Sequence, residues 1–180
     1  MLREGIPGRR QAASAFPAIT DGRVVKETFE TALPRGLYGI ALNTRRPLFA
    51  DPRVREALGF LFDFEWVNKN LYFDLYRRSA SYFQGSELAS VGVPASAAEK
   101  SLLAAAGATV RDDILAGTWR PRATDGSGRD RTTLKAAIDL LAQAGFRLDK
   151  GVMRGPDGQP LAFEVMLQTR EQERIALAYQ

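Results

Sequence analysis

Leu37-Tyr38-Gly39-Ile40-Ala41-Leu42-Asn43-Thr44 is followed, after a basic turn, by Asp51-Pro52-Arg53-Val54-Arg55-Glu56-Ala57-Leu58. The first run is apolar almost throughout until Asn43, the pattern of a strand covered on both faces, and predicts an interior strand. The second opens as a helix should, with Asp51 as N-cap and Pro52 at the first helical position, where its missing N–H is no loss. Val54, Ala57, Leu58 and Leu61 then recur at i, i+3, i+4 and i+7, so one face turns inward while Arg53, Arg55 and Glu56 lie elsewhere on the wheel. A buried strand feeding an amphipathic helix predicts an α/β architecture, a mixed sheet flanked by helices.

Downstream, a second helix is expected after Asp63, with Trp66, Val67, Asn70 and Leu71 on its buried side. Residues 77–94 lack a period and hold Ser79, Ser81, Gly85, Gly92 and Pro94, which reads as an ordered loop carrying Tyr82 and Phe83. Residues 96–106 are helix-prone. A polar connector over 120–131 ends where Thr132 or Thr133 can cap a helix bearing Leu134, Ala137, Ile138 and Leu141 on one face. Gly145 lies where a left-handed residue would stop that helix, and Phe146 can fold back on its last turn. Gly155-Pro156-Asp157-Gly158 predicts a turn pairing residues 152–154 with a long buried strand over 161–167. Thr169 and Gln172 resemble a capping box for a last helix, with Ile175, Ala176 and Tyr179 toward a sheet. That helix has barely begun at Gln180, so truncation at the C-terminus is expected. Upstream, residues 22–29 form a β-prone run, and residues 1–15 read as a disordered lead-in without the apolar stretch of a signal peptide.

The 180 residues suffice for one core or one lobe of a larger protein, and 45% apolar with 26% charged residues is ordinary for a folded domain. Lysine and arginine exceed aspartate and glutamate by 25 to 21, but the arginines are spread among acidic neighbours, so no nucleic-acid partner is expected. The chain has no cysteine and no histidine, which removes disulfides, thiolate metal sites, the commonest zinc ligand and the usual general base. No metal, no cofactor and no catalytic residue is expected, and the chain is not read as an enzyme. No run approaches the roughly 18 to 20 apolar residues that span a bilayer.

The block from Asn43 to Leu58 resembles the family 5 extracellular solute-binding proteins, which serve peptide, nickel and related ABC importers. It is most similar to the branch that includes the microcin C and oligopeptide importer periplasmic subunits. Supporting stretches follow in the family's order: Phe16-Pro17-Ala18 with Asp21-Gly22-Arg23-Val24, then Ser81 to Ala89, then Leu140-Leu141-Ala142-Gln143-Ala144-Gly145-Phe146. The resemblance implies one lobe of a bilobal, type II periplasmic-binding-protein-like fold of the peptide-binding class. Residues 16–180 would be a partial second lobe, with the first lobe missing. It further implies capture of a peptide or peptide-like ligand between two closing lobes, delivery to an inner-membrane ABC permease, and a periplasmic location. The alternative is a small basic interaction module that binds an acidic partner or nucleic acid.

Six residues are candidate ligand contacts: Asn43, Thr44, Arg45, Arg46, Tyr82 and Phe83. The first four fall at the carboxyl end of the expected interior strand, where ligands of open α/β sheets bind. The competing reading is that Asn43 caps the turn, Pro47 stiffens it, and the arginines are solvated or pair with Asp51 or Glu56. Tyr82 and Phe83 either line an apolar pocket or pin their loop to the core. Trp66 reads as core and Arg55 as a structural ion pair. Gly126-Ser127-Gly128-Arg129 is the nearest thing to a phosphate loop, but it lacks Gly-Lys-Ser/Thr and a preceding strand. Asp112 and Asp113 read as surface charges. Ser79, Ser81 and Ser86 have no histidine to activate them, leaving only Lys69 as a substitute base.

Overall fold

A computed structural model describes residues 16–25, 27, 29 and 32–179. The lead-in over 1–15 lies outside these residues, as do positions 26 and 28 of the β-prone run; its residues 22–25 form no strand. The chain divides into two compact units, the first built from residues 40–76 and 123–179 and the second from residues 16–39 and 77–122.

In the second unit, α1 (Pro17–Thr20) begins the described chain. In the first unit come α2 (Pro47–Ala50), α3 (Pro52–Phe60) and α4 (Phe64–Tyr72). The second unit then adds α5 (Ala97–Ala105) and α6 (Asp112–Leu115). The first unit closes with α7 (Arg131–Gln143), β1 (Arg147–Asp149), β2 (Val152–Arg154), a 3₁₀ turn (Arg170–Gln172) and α8 (Glu173–Ala178).

The centre of the first unit is α3 against α7, and its buried cluster is Phe49, Val54, Ala57, Leu58, Ala137 and Leu141. Asp51 caps α3 as the sequence predicts, accepting the Arg53 N–H at 2.8 Å. Val54, Ala57 and Leu58 are buried, whereas Leu61, one turn on, is exposed at the helix end. Asp63 caps α4 through the Trp66 N–H at 2.9 Å. Val67 is buried and Asn70, expected inside, is exposed and donates to the Trp66 carbonyl at 2.8 Å.

Two readings of α7 are corrected. Its cap is Asp130, which accepts from the Thr132 and Thr133 N–H groups at 2.8 and 3.2 Å. An ionised carboxylate competes better for orphan helix donors than the following threonine hydroxyls. The buried stripe runs through Thr133, Ala137 and Leu141, leaving Leu134 and Ile138 exposed. The helix is apolar over a wide arc, and it presents small Ala137 because fully buried Ala57 and Ala137 let α3 and α7 approach closely. Gly145 ends α7 as expected, at φ +87°, with the Phe146 N–H bonding the Leu141 carbonyl at 2.9 Å and Phe146 packed on the cluster.

The expected mixed sheet is not assembled among the described residues; the pairing present is one antiparallel hairpin, β1 with β2. Lys150 and Gly151, at φ +48° and +83°, form a two-residue turn whose twist suits a hairpin. That turn pairs 152–154 with 147–149 and not with 161–167. The 155–158 turn does form, with the Gly158 N–H on the Gly155 carbonyl at 2.9 Å, and the Leu161 N–H reaches the Met153 carbonyl at 2.7 Å. Pairing stops at the Arg154–Pro160 bridge, since Pro160 has no N–H to continue it. Residues 161–165 alternate strictly, with Leu161, Phe163 and Val165 half-buried and Ala162 and Glu164 exposed, but no described segment supplies a ladder. Residues 37–44 likewise form no strand, and Leu37, Tyr38 and Ile40 are exposed. An apolar run becomes a strand only when a neighbour takes its N–H and C=O groups in a regular ladder, and no such ladder forms along 37–44 among the described residues.

Helix ends in this unit are closed by distant side chains. Arg53 donates to the carbonyl of Gln143 at 2.6 Å, and Arg55 to those of Phe49 and Ala50 at 2.7 and 2.8 Å. The Thr169–Gln172 capping box is present, and Tyr179 donates to the Leu58 carbonyl at 2.8 Å, one of the orphan acceptors at the end of α3. Its ring also meets Phe62 edge-on at 5.8 Å.

Leu58→Ala should lower stability by about 2–4 kcal/mol, since it empties a buried site between α3 and α7; a urea titration followed by circular dichroism measures this. Burial pushes the Tyr179 phenol up to about 12. The unfolded phenol ionises near pH 10, so between about pH 10 and 12 the unfolded state releases the proton first and stability falls as pH rises. Tyr179→Phe should be less stable by about 1 kcal/mol at neutral pH through the lost hydrogen bond, yet lose less stability than the parent over that alkaline window. Urea titrations of both proteins at neutral and alkaline pH would show it.

Candidate functional site

The six candidate residues fall into two groups, Asn43, Thr44, Arg45 and Arg46 in the first unit and Tyr82 and Phe83 in the second. At the first position the chain makes a tight turn into α2. The Asn43 side-chain oxygen accepts the Arg45 N–H at 3.1 Å, and the Asn43 carbonyl accepts the Arg46 N–H at 3.0 Å. Asn43 therefore has a structural task, as a turn asparagine should. Thr44, Arg45 and Arg46 are exposed. Asp51 is engaged by Arg53 at 2.6 Å, and among the described residues neither Arg45 nor Arg46 makes an ion pair. The Arg53 guanidinium holds the Asp51 carboxyl below the usual range. Arg55 is structural, as read, but through backbone carbonyls and not through a carboxylate.

Tyr82 and Phe83 line an open groove of ≈ 500 Å³ within the second unit, together with Leu37, Leu88, Ile114 and Trp119. Tyr82 and Phe83 are exposed at 68% and 52%, so they do not pin their loop into a core. The loop is held instead by polar contacts. Gln84 accepts the Ala80 N–H at 2.6 Å, its carbonyl accepts the Arg35 N–H at 3.2 Å, and the Ser86 hydroxyl donates to the Phe83 carbonyl at 2.8 Å. Phe83 itself sits at φ +56°, a conformation costly for a bulky residue and one that collects at functional sites. The groove floor is Gly117, buried, at φ +68°. Its carbonyl accepts the Gly92 N–H at 2.8 Å, and a Cβ there would lie 2.5 Å from the Val93 carbonyl oxygen and 2.8 Å from that of Ser90. Leu37 and Trp119 were not singled out by sequence: Leu37 was assigned to a strand, and Trp119 stands alone between polar residues.

The remaining motifs are structural. Gly126 to Arg129 is no phosphate cradle, because the Gly128 N–H is already bound by Asp63 at 2.8 Å and Gly128 lies under Trp66. The Thr124 hydroxyl donates to Asp63 and also lies 2.8 Å from a Glu65 oxygen, which docks the connector on the start of α4. Asp113 pairs with Arg111 at 2.6 Å, which keeps its carboxyl below the usual range. The Ser81 and Ser86 hydroxyls donate to backbone carbonyls, and Lys69 belongs to the other unit. Among the described residues no group of three or more acidic side chains could hold a metal, and no helix is long and apolar enough to cross a membrane.

The groove and its loop are read against the proteins this chain resembles. Residues 9–180 match the model of the bacterial extracellular solute-binding proteins, family 5 (middle), and the chain belongs to that family. It is 53% identical over 98% of its length to a protein of Brucella suis biovar 1 (strain 1330) provisionally named a binding protein, covering 29% of that relative. It is 46% identical over 92% of its length to the peptidoglycan-binding protein YepA of Agrobacterium fabrum, covering 27% of it. A second Agrobacterium fabrum relative, YejA, provisionally named as peptide-binding, is 32% identical over 99% of the chain, which covers 31% of it. The chain thus spans under a third of each relative's length.

Gly117→Ala should destabilise the second unit by more than about 1 kcal/mol, because the left-handed backbone and the contacting carbonyls both resist a side chain. Hydrogen exchange at Gly92 and Ala95, whose N–H groups bond across this junction, should speed up while α3 and α7 stay protected.

Proposed function

We propose that the chain is part of the ligand-capturing component of an ABC importer for peptides or peptide-like solutes, working by binding and not by catalysis. Support comes from membership of family 5 along nearly the whole chain, joined to the groove around Tyr82, Phe83 and Trp119. In this reading a peptide lies between two lobes, of which this chain supplies part of one, with a periplasmic location and an inner-membrane permease as partner. Asn43 shapes its turn, while Thr44, Arg45 and Arg46 present an exposed basic edge that can meet ligand carboxylate or the opposite lobe. The names of two relatives point to peptides and to peptidoglycan, whose cross-linking stems are themselves peptides. Against the basic-module alternative, Arg23, Arg53 and Arg111 are each matched by an aspartate two residues away.

Calorimetric titration with a varied library of short peptides tests this. The chain should give weak, saturable heat, with dissociation constants on the order of 1 mM because it offers only part of a cleft, and a whole-length relative should bind the same peptides more tightly. Absence of heat from both across the library would overturn the proposal. Steeply salt-dependent binding to DNA or RNA would replace it with the basic module.

A further inference from the structure

Nothing in the local sequence asks α4 to end at Tyr72. Residues 71–84 hold no glycine, proline or asparagine, the residues that stop helices by taking a left-handed backbone or by lacking an N–H. The helix stops all the same, and it does so on two successive residues that carry side chains, Phe73 at φ +55° and Asp74 at φ +57°. Aspartate tolerates that region better than most residues, but a bulky side chain there is strained, and left-handed residues ordinarily come singly. Burial does not offset the strain, since Phe73 and Asp74 are both exposed.

Asn68, inside the helix, holds the stop. Its carbonyl accepts the N–H groups of both Phe73 and Asp74, the latter at 3.0 Å. Its side chain reaches Tyr76, donating to the carbonyl at 2.8 Å and accepting the N–H at 3.1 Å, the double exchange that a neighbouring strand would make. The Leu75 N–H bonds the Tyr72 carbonyl at 3.0 Å, and the Tyr72 and Tyr76 rings meet edge-on at 4.9 Å. A helix continued through Tyr76 would keep the N–H groups of residues 73–76 bonded, each to the carbonyl four residues back, and would release both left-handed residues. The two forms therefore differ by backbone strain on one side and by the Asn68–Tyr76 pairing on the other.

We propose that the end of α4 is a two-position catch: Asn68 holds the stopped form, and breaking its pairing with Tyr76 lets the helix run on by one turn through residues 73–76. Tyr76 is the last residue of the first unit's 40–76 segment. The catch therefore sets how much chain is wound into the helix where the backbone leaves that unit. Strained residues persist only where their surroundings over-determine them, and here the over-determining group is one side chain. Asn70 has no part in it, its amide being committed to the Trp66 carbonyl at 2.8 Å. The catch stands apart from peptide capture and is a property of the chain itself.

Carbon-13 secondary shifts of the isotope-labelled 180-residue chain test this. In the parent, Phe73 and Asp74 should show the left-handed pattern. Asn68→Ala should move residues 73–76 to helical Cα shifts and raise the circular-dichroism helix signal by about four residues' worth. Adding Asp74→Gly to that variant should restore the stop, because glycine takes the left-handed backbone without strain. Asp74→Gly alone should slow amide exchange at Tyr76 by about fivefold relative to the parent. Should Asn68→Ala fail to fold, Asp74→Ala at an exposed position serves instead: it disfavours the left-handed form without touching Asn68, and should shift residues 73–76 in the same helical direction. Coil-like shifts at 73–76 in either variant, or left-handed shifts that persist, would overturn the catch and leave Asn68 an ordinary helix cap. Exchange at Tyr76 no slower in Asp74→Gly than in the parent would overturn it as well.

Discussion

Everything in the first unit depends on how closely α3 can approach α7. Ala57 and Ala137 are fully buried, and around them Val54, Leu58, Leu141 and Phe49 close a single cluster. A close helix pair leaves its helix ends buried or half-buried as well, and those ends carry unpaired carbonyls that must be satisfied. The chain does this with long side chains sent from elsewhere. Arg53 reaches the end of α7, Arg55 the end of α2 and Tyr179 the end of α3. The N-terminal ends take the simpler route of a preceding aspartate, at Asp51, Asp63 and Asp130. Several arginines of this mildly basic chain are therefore spent on backbone carbonyls and local carboxylates, among them Arg23, Arg53, Arg55, Arg111 and Arg120.

The second unit is built on a different principle. None of the buried hydrophobic core residues belongs to it, and the one buried position in its described part is a glycine, Gly117. Backbone bonds between 92 and 117 and between 95 and 115 hold the segment, with α5 started by a complete Ser96–Glu99 capping box. A unit organised by backbone leaves its large apolar side chains outward, which is unfavourable for a free-standing domain. The exposed rings of Tyr82, Phe83 and Trp119 are the consequence.

Sequence pattern foretold what local chemistry controls. The starts of α3 and α4, the glycine stop at Gly145, the Thr169 capping box and the loop character of 77–94 all rest on residues within a few positions of one another. It went astray where the outcome depends on a distant partner. Residues 37–44 and 161–167 have the composition of strands, and residues 161–165 even show the alternation, but a ladder needs a neighbour that local pattern does not specify. On α7, Ala137 and Leu141 are buried as the periodicity predicts, but Leu134 and Ile138, which look as apolar, are exposed and Thr133 takes the buried place. In the hairpin, Lys150 hid a turn that asparagine or aspartate would have advertised. Of the groove lining, Tyr82 and Phe83 were legible because aromatics on an irregular loop are conspicuous. Leu37 and Trp119 were not, since only folding brings residues so far apart in sequence to one groove.

The two ladderless segments and the uncharged groove fit a single account. Strand-patterned chain without a ladder is aggregation-prone unless other chain covers it, and the relatives this chain matches are several times longer. The groove is different in kind, because its polar tips are hydroxyls and an indole N–H, groups that tolerate water when empty and bond a solute when filled. A surface destined for permanent burial against strands would carry backbone-matched apolar alternation, as residues 161–165 do. Among the candidate residues, Asn43 has its side chain already committed to its own backbone, whereas Tyr82 and Phe83 stand exposed along the groove of the second unit.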